Sequence, residues 1–205
     1  HCDHVLVGEG EETFPVFYRD FLAGQAKPVY RCEGFCDLTR SPVPRYDLVD
    51  SSLYASYSIQ TTRGCPRTCA YCTLPVLYGP VYRHKTVEVI AEIHAIQAVA
   101  PHPFIFFADD NMFIDEAFSK ELLKRVAQEN ILWGTQTDIS VAQRPEILNL
   151  LRQAGCRWLF IGFENVRQDS LQLLDRKAWM ASMCERYVSL IEKIHRAGIQ
   201  IWGSF

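Results

Sequence analysis

The sequence predicts an α/β fold built on a parallel sheet, as part of a (β/α) barrel. Two observations carry this prediction. From residue 58 onward, apolar strand-length runs alternate with helical patterns, and such alternation gives parallel strands joined by right-handed crossovers. The alternation yields five βα units, fewer than the eight that close a TIM-type barrel. A third observation concerns the first strand. Three of the eight cysteines, Cys65, Cys69 and Cys72, follow it directly.

Taken in order, Val5-Leu6-Val7 is a short apolar run ending at Gly8-Glu9-Gly10. Residues 11–22 then read as a helix, with Phe14, Phe17, Tyr18 and Leu22 at helical spacing. Strand, glycine turn and helix make the end of an α/β unit, assigned to residues 1–25. Residues 26–57 carry Gly34, Pro28, Pro42 and Pro44 and read as an irregular surface linker, with a boundary near residue 50. The main unit is assigned to 58–205, with strands at 58–62, 104–108, 132–136, 158–162 and 199–203. Helices are expected at 87–99, 116–129, 145–154 and 181–197. Asp115 is the natural N-cap of the second, with Phe118, Leu122 and Val126 on one face. Pro145 opens the third, Gly155 ends it, and Gly198 ends the last. The chain opens on His1 rather than Met and its fifth strand reaches the last residues, so a piece of a longer protein is expected.

Composition narrows the function. Hydrophobic residues at 48% and charged residues at 22% are a soluble, core-forming balance. A net charge of -3 gives no basic field for nucleic acid. No apolar run approaches the roughly 20 residues of a membrane span, and no signal peptide is visible. An even cysteine count suits disulfides in short secreted chains. Here the clustering favours a reduced, cytoplasmic protein with a metal site.

The key segment is Arg63-Gly64-Cys65-Pro66-Arg67-Thr68-Cys69-Ala70-Tyr71-Cys72, a CxxxCxxC motif. Soft thiolates suit iron–sulfur chemistry. Three thiolates on one loop, with no fourth nearby, leave one iron of a cubane cluster open to a ligand. The competing readings are a structural zinc site with a distant fourth ligand, or unrelated buried thiols. Cys32 and Cys36 share the CxxxC spacing without a third partner, and Cys2, Cys156 and Cys184 read as ordinary small apolar residues. Carboxyl ends of barrel strands are where functional residues gather. They offer Asp109 and Asp110, then Gln136 and Asp138, then Glu164 and Asn165. Each of these also suits a helix cap. Arg63 and Arg67 read as solvated, His84, His94, His102 and His195 as surface residues, and Trp133, Trp158, Trp179 and Trp202 as packing residues.

The cysteine motif, with Tyr71 just before Cys72, resembles the signature of the radical S-adenosylmethionine superfamily. That resemblance implies a partial (β/α) barrel of the TIM type and a [4Fe-4S] cluster on Cys65, Cys69 and Cys72. It implies that the open iron takes the amino and carboxylate groups of S-adenosylmethionine, whose reductive cleavage yields a 5′-deoxyadenosyl radical. Tyr71, Asp109, Asp110, Gln136, Asp138, Glu164 and Asn165 are then candidate contacts to S-adenosylmethionine. Asp109-Asp110-Asn111 departs from the Gly-Gly-Glu stretch of many members and resembles a variant found in cobalamin-linked ones. Gly162-Phe163-Glu164-Asn165 resembles a Gly-x-Glu-Ser/Asn motif.

A second resemblance joins the first. Residues 3–15 are similar to the last strand and helix of the cobalamin-binding domain that precedes many of these enzymes, and Pro44-Arg45-Tyr46-Asp47-Leu48 is similar to the linker of that group. Together they imply a cobalamin-dependent methyltransferase acting on an unactivated centre of a small-molecule or lipid-like substrate. The intact parent would bind cobalamin, and a flavodoxin or ferredoxin would supply electrons. The alternatives are another radical reaction, such as oxidative cyclisation or methylthiolation, and a non-catalytic iron–sulfur or zinc module.

Overall fold

The computed structural model describes residues 2–79, 81–85, 88–175 and 177–205. It divides into two compact units, His1–Pro42 and Val43–Phe205. His1 lies outside the described residues.

In the first unit, β1 (Val5–Val7) leads into α1 (Gly10–Leu22). A second strand, β2 (Val29–Arg31), pairs with β1 in parallel, Val5 opposite Val29. This corrects the reading of 26–57 as wholly irregular. The strand is three residues long, too short for alternation to show. Tyr30 anchors it: its hydroxyl donates to Asp20 at 3.1 Å and accepts from the Lys27 N–H at 2.9 Å.

The second unit opens with β3 (Tyr57–Ile59) and β4 (Thr62–Arg63), followed by α2 (Leu74–Tyr78) and β5 (Arg83–His84). The expected strand at 58–62 is thus broken at Gln60 and Thr61. Its far end pairs antiparallel with β5, closing the base of the loop that carries the cysteines. Then come α3 (Glu88–Val99), β6 (Phe104–Phe107), α4 (Glu116–Val126) and β7 (Leu132–Thr137). Val87, the expected start of α3, lies outside the described residues. The rest is α5 (Pro145–Gln153), β8 (Cys156–Gly162), α6 (Gln168–Leu174), α7 (Trp179–Cys184), α8 (Tyr187–Arg196) and β9 (Gln200–Ser204). The single helix expected at 181–197 is two helices, broken at Glu185 and Arg186.

The sheet runs β3-β6-β7-β8-β9, all neighbours parallel and in sequence order. This is part of a (β/α) barrel, five strands of it. Strand side chains alternate between faces. Ile59, Ile105, Phe107, Trp133, Leu159 and Ile161 point outward and are almost fully buried. They meet Val89, Ile93 and Ile96 of α3, Leu122, Leu123 and Val126 of α4, Ile147 and Leu151 of α5, and Leu190 and Ile194 of α8. Each such side chain stabilises the fold by about 1.5–3 kcal/mol. The inward positions Phe104, Phe106, Trp158 and Phe160 are only half-buried. Asp115 caps α4 as expected, accepting from the Phe118 N–H at 3.0 Å.

Candidate functional site

The cysteine loop sits at the carboxyl end of β3, and several elements fix its path. Gly64 has φ +87°, and a Cβ there would overlap the Val81 carbonyl oxygen. Only glycine fits such a turn. The Gly64 N–H donates to Asp110 Oδ2 at 2.7 Å, tying the loop to the end of β6. The Ala70 N–H donates to the Leu174 carbonyl at 2.8 Å, tying it to α6. Cys69 packs against Leu171, Met180 and Ala181.

The adjacent acid Asp109 has a different job. It is fully buried. Its Oδ1 accepts from the Thr61 and Thr62 N–H groups at 2.7 and 2.6 Å, and Oδ2 accepts from Thr61 Oγ1 at 2.6 Å. Burial pushes this carboxyl up to about 6 despite those donors. Strand alternation separates the two acids: Asp109 shares the outward side with Phe107, and Asp110 the inward side with Phe106.

A cavity of about 190 Å³ opens over the inward side. Cys65, Cys69, Cys72 and Tyr71 line it from the loop. Asp110, Gln136, Asp138 and Glu164 line it from the ends of β6, β7 and β8. Eight of the ten expected site residues thus meet at one place. The other two, Asp109 and Asn165, do not line it. Asn165 turns its Oδ1 to the N–H groups of Val166 and Arg167 at 2.8 and 3.0 Å, an Asx-type turn ahead of α6.

Glu164 reaches the cavity at a conformational cost. Its φ is +64°, a region non-glycine residues enter only where surrounding structure imposes it, at about 1–3 kcal/mol. Its N–H donates to the Ser204 carbonyl at 3.1 Å. Its carboxylate folds back over Gly162, where any Cβ would overlap Oε1. Burial, together with the neighbouring Cys69 and Glu164, pushes the Tyr71 hydroxyl above its ordinary value. Burial alone would raise Asp138, but Arg67, Ser140 and Asn111 outweigh it and hold the carboxyl below the usual range.

Sequence reasoning missed several contributors. Arg67, expected in solvent, lies on the cavity wall, paired with Asp138 at 2.8 Å and stacked 3.7 Å from the Trp179 ring centroid. Trp179 and Met180 also line the cavity. Their helix, α7, follows a stretch whose apolar spacing gave no signal. His94, read as a surface residue, is 59% exposed, with Nε2 2.7 Å from Glu129 Oε2.

The donor set fits an iron–sulfur cluster. None of the eight cysteines is in a disulfide. Three thiols, one buried and two half-buried, share the cavity. Among the described residues, no three His, Cys, Asp or Glu side chains are drawn together as a single-ion site. Burial pushes the Cys65 and Cys69 thiols up. Metal ligation reverses this, since the ligand is the thiolate.

A partial parallel barrel with a three-thiol loop at its carboxyl-end mouth defines the class: an enzyme core built to hold a cluster where strand-end polar groups converge. Comparison with known proteins is specific. The radical SAM superfamily model matches residues 59–204, and the chain belongs to that superfamily. It is 28% identical to the bacteriochlorophyllide d C-12(1)-methyltransferase of Chlorobaculum tepidum, over 100% of this chain and 46% of the relative. It is 30% identical to the hopanoid C-2 methylase of Rhodopseudomonas palustris, over 85% of this chain and 35% of the relative. The chain therefore spans less than half the length of these relatives. Among solved structures, the cobalamin-dependent S-adenosylmethionine radical enzyme OxsB with aqua-cobalamin bound shares the fold at a TM-score of 0.79, with 15% identity over 96% of this chain and 32% of that one. The radical S-adenosylmethionine methyltransferase TsrM from Kitasatospora setae, with cobalamin and a [4Fe-4S] cluster bound, gives 0.63, with 21% identity over 72% and 30%.

Proposed function

We propose that this chain is the catalytic core of a radical S-adenosylmethionine enzyme, and that the whole protein is a cobalamin-dependent methyltransferase acting on an unactivated centre. One observation carries the core assignment. Cys65, Cys69 and Cys72 share a cavity with carboxylates and amides from three strand ends. The three thiolates would hold the [4Fe-4S] cluster, leaving one iron for S-adenosylmethionine. When bound, cluster and S-adenosylmethionine supply a one-electron cleavage that yields a 5′-deoxyadenosyl radical.

The chain's own residues bind, orient and shield. Asp110 and Glu164 offer carboxylates to a ligand that carries an ammonium and a sulfonium, whose charges offset theirs. Gln136 and Tyr71 add neutral hydrogen-bonding groups. Asp109 acts one step back, holding the backbone from which the cysteine loop departs. Asn165 holds the turn after Glu164. Phe160 lies beneath the cavity and excludes water from a reactive site.

Methyl transfer rests on the relatives, several of which are methyltransferases or methylases, and cobalamin use on the likeness of residues 3–15 and 44–48 to that group and on the cobalamin bound in OxsB and TsrM. A cyclase relative, the anaerobic magnesium-protoporphyrin IX monomethyl ester cyclase of Synechocystis, is 26% identical over 77% of this chain. The same core thus sits in proteins of another reaction type. The substrate is a small or lipid-like molecule, with electrons from a flavodoxin or ferredoxin. No helix among the described residues is long and apolar enough to cross a membrane, and an oxygen-labile cluster with eight reduced cysteines suits the cytoplasm.

The test is replacement of Cys65, Cys69 and Cys72 by Ala, one at a time, followed by iron and sulfide analysis and assay of S-adenosylmethionine cleavage. Each variant should lose the cluster and cleavage together, while Cys184→Ala retains both. Cleavage retained by all three variants would refute the assignment. Loss of iron in a folded Cys184→Ala protein would move a ligand to that position.

A further inference from the structure

We propose that Arg67 is a positioning residue: its guanidinium, between the face of Trp179 and the carboxylate of Asp138, clamps the cysteine loop into a ligand-ready shape before any metal is bound. The purpose of this clamp rests on the reading of Cys65, Cys69 and Cys72 as cluster ligands. Its geometry does not.

Arg67 lies midway between Cys65 and Cys69. A loop of small and polar residues has little packing of its own, so something must limit its conformations. The Arg67 side chain reaches out of the loop in two directions. Toward β7, Nη2 donates to Asp138 Oδ2 at 2.8 Å and Nε approaches the same oxygen at 3.3 Å. Toward α7, Cζ lies 3.7 Å from the Trp179 ring centroid. The two partners are themselves fixed. Asp138 also accepts from Asn111 Nδ2 at 2.9 Å and from the Ser140 N–H at 2.9 Å. The Trp179 N–H donates to Asp175 Oδ2 at 2.8 Å. Asp175 also accepts from the N–H groups of Lys177 and Met180 at 3.0 and 3.1 Å. One side chain thus ties the loop to two separate elements.

Stacking distinguishes this from a simple ion pair. Arginine is planar and stacks on an aromatic face while its edge binds a carboxylate, whereas lysine cannot do both. Arg67→Lys keeps the charge beside Asp138 and loses the stack. Trp179→Leu keeps the ion pair and loses the other face.

The experiment is carried out on the metal-free, reduced protein under argon. Thiol alkylation by iodoacetamide is followed site by site at Cys65 and Cys69, using peptide mapping by mass spectrometry. Alkylation rates are compared per thiolate, from the pH–rate profile of each variant, because the Arg67 charge itself lowers the Cys65 and Cys69 pKa. So compared, alkylation should be faster by about two- to fivefold in Arg67→Met and in Trp179→Leu, the population change that loss of one partly exposed stacking contact produces. The double variant should be no faster than Arg67→Met alone, because Arg67→Met already removes both the stack and the ion pair. Arg67→Lys should behave like Trp179→Leu, and it serves in place of Arg67→Met if that variant does not fold. Rates equal to wild type, or increments that add, would overturn the proposal. Iron loading of the wild-type protein is measured in parallel. Failure to bind iron would count against the ligand assignment, whereas unchanged alkylation would count against the clamp.

Discussion

Asp109 and Asp110 show how one step along a strand separates two identical side chains by role. Asp110 faces the cavity and holds the Gly64 N–H. Asp109 faces away and gathers three donors from Thr61 and Thr62. Burial raises the Asp109 carboxyl from 3.8 to about 6. A carboxyl raised in the folded state binds its proton more tightly there than in the unfolded chain. Its contribution to stability is fully present below about pH 4 and is lost as pH rises through about 6. In Asp109→Asn, Oδ1 still accepts both N–H groups and the amide nitrogen donates to Thr61 Oγ1. The stability of wild type relative to Asp109→Asn should therefore fall between about pH 4 and 6 and level off above, read from denaturation midpoints at each pH. A pH-independent difference would contradict this. Asp109→Leu, which strands two buried N–H groups, should lose at least about 2 kcal/mol.

Among the elements, α3 carries an unusual anchor. The Lys85 ammonium pairs with Glu92 of α3 at 2.5 Å, and the two side chains are only 9% and 2% exposed. The Tyr46 hydroxyl lies 3.4 Å from Glu92 and 3.0 Å from the Ser58 carbonyl, joining this pair to the middle of β3. A buried pair is costly to break from one side, because the other charge is left without compensation. Lys85→Met should cost about 3–5 kcal/mol in chemical denaturation, while Lys85→Met with Glu92→Leu should recover most of that loss. A single variant as stable as the double would show that the pair is not buried in solution. The large elements were legible because their periods are clean. Val89, Ile93 and Ile96 mark α3, and Phe104 to Phe107 are a continuous apolar run. The small elements were not. Three residues of β2 cannot display alternation. The apolar residues of α2 are partly in solvent, with Val76 87% exposed. The helix expected at 181–197 breaks at Glu185 and Arg186, residues with ordinary helix propensity, so tertiary packing sets the break. The site was legible in its thiols and in most strand-end polar residues. Arg67 and Trp179 were not, since a stack between residues 112 positions apart leaves no local pattern.

At the scale of the whole molecule, the fold places the three-cysteine loop and three strand ends around one cavity, as expected of the carboxyl-end mouth of a parallel barrel. The outward face of the sheet is packed by helices and supplies stability. The inward face carries the candidate site: Phe160 and the strained Glu164 line the cavity, while Phe104 and Phe106 stack on Trp158 beside it. The most direct test of this account is electron paramagnetic resonance of the reduced, anaerobically reconstituted protein, with and without S-adenosylmethionine. The account predicts a [4Fe-4S] signal whose shape shifts when S-adenosylmethionine is added, because one iron is open to it. A cluster signal indifferent to S-adenosylmethionine, or zinc bound in place of iron, would contradict it.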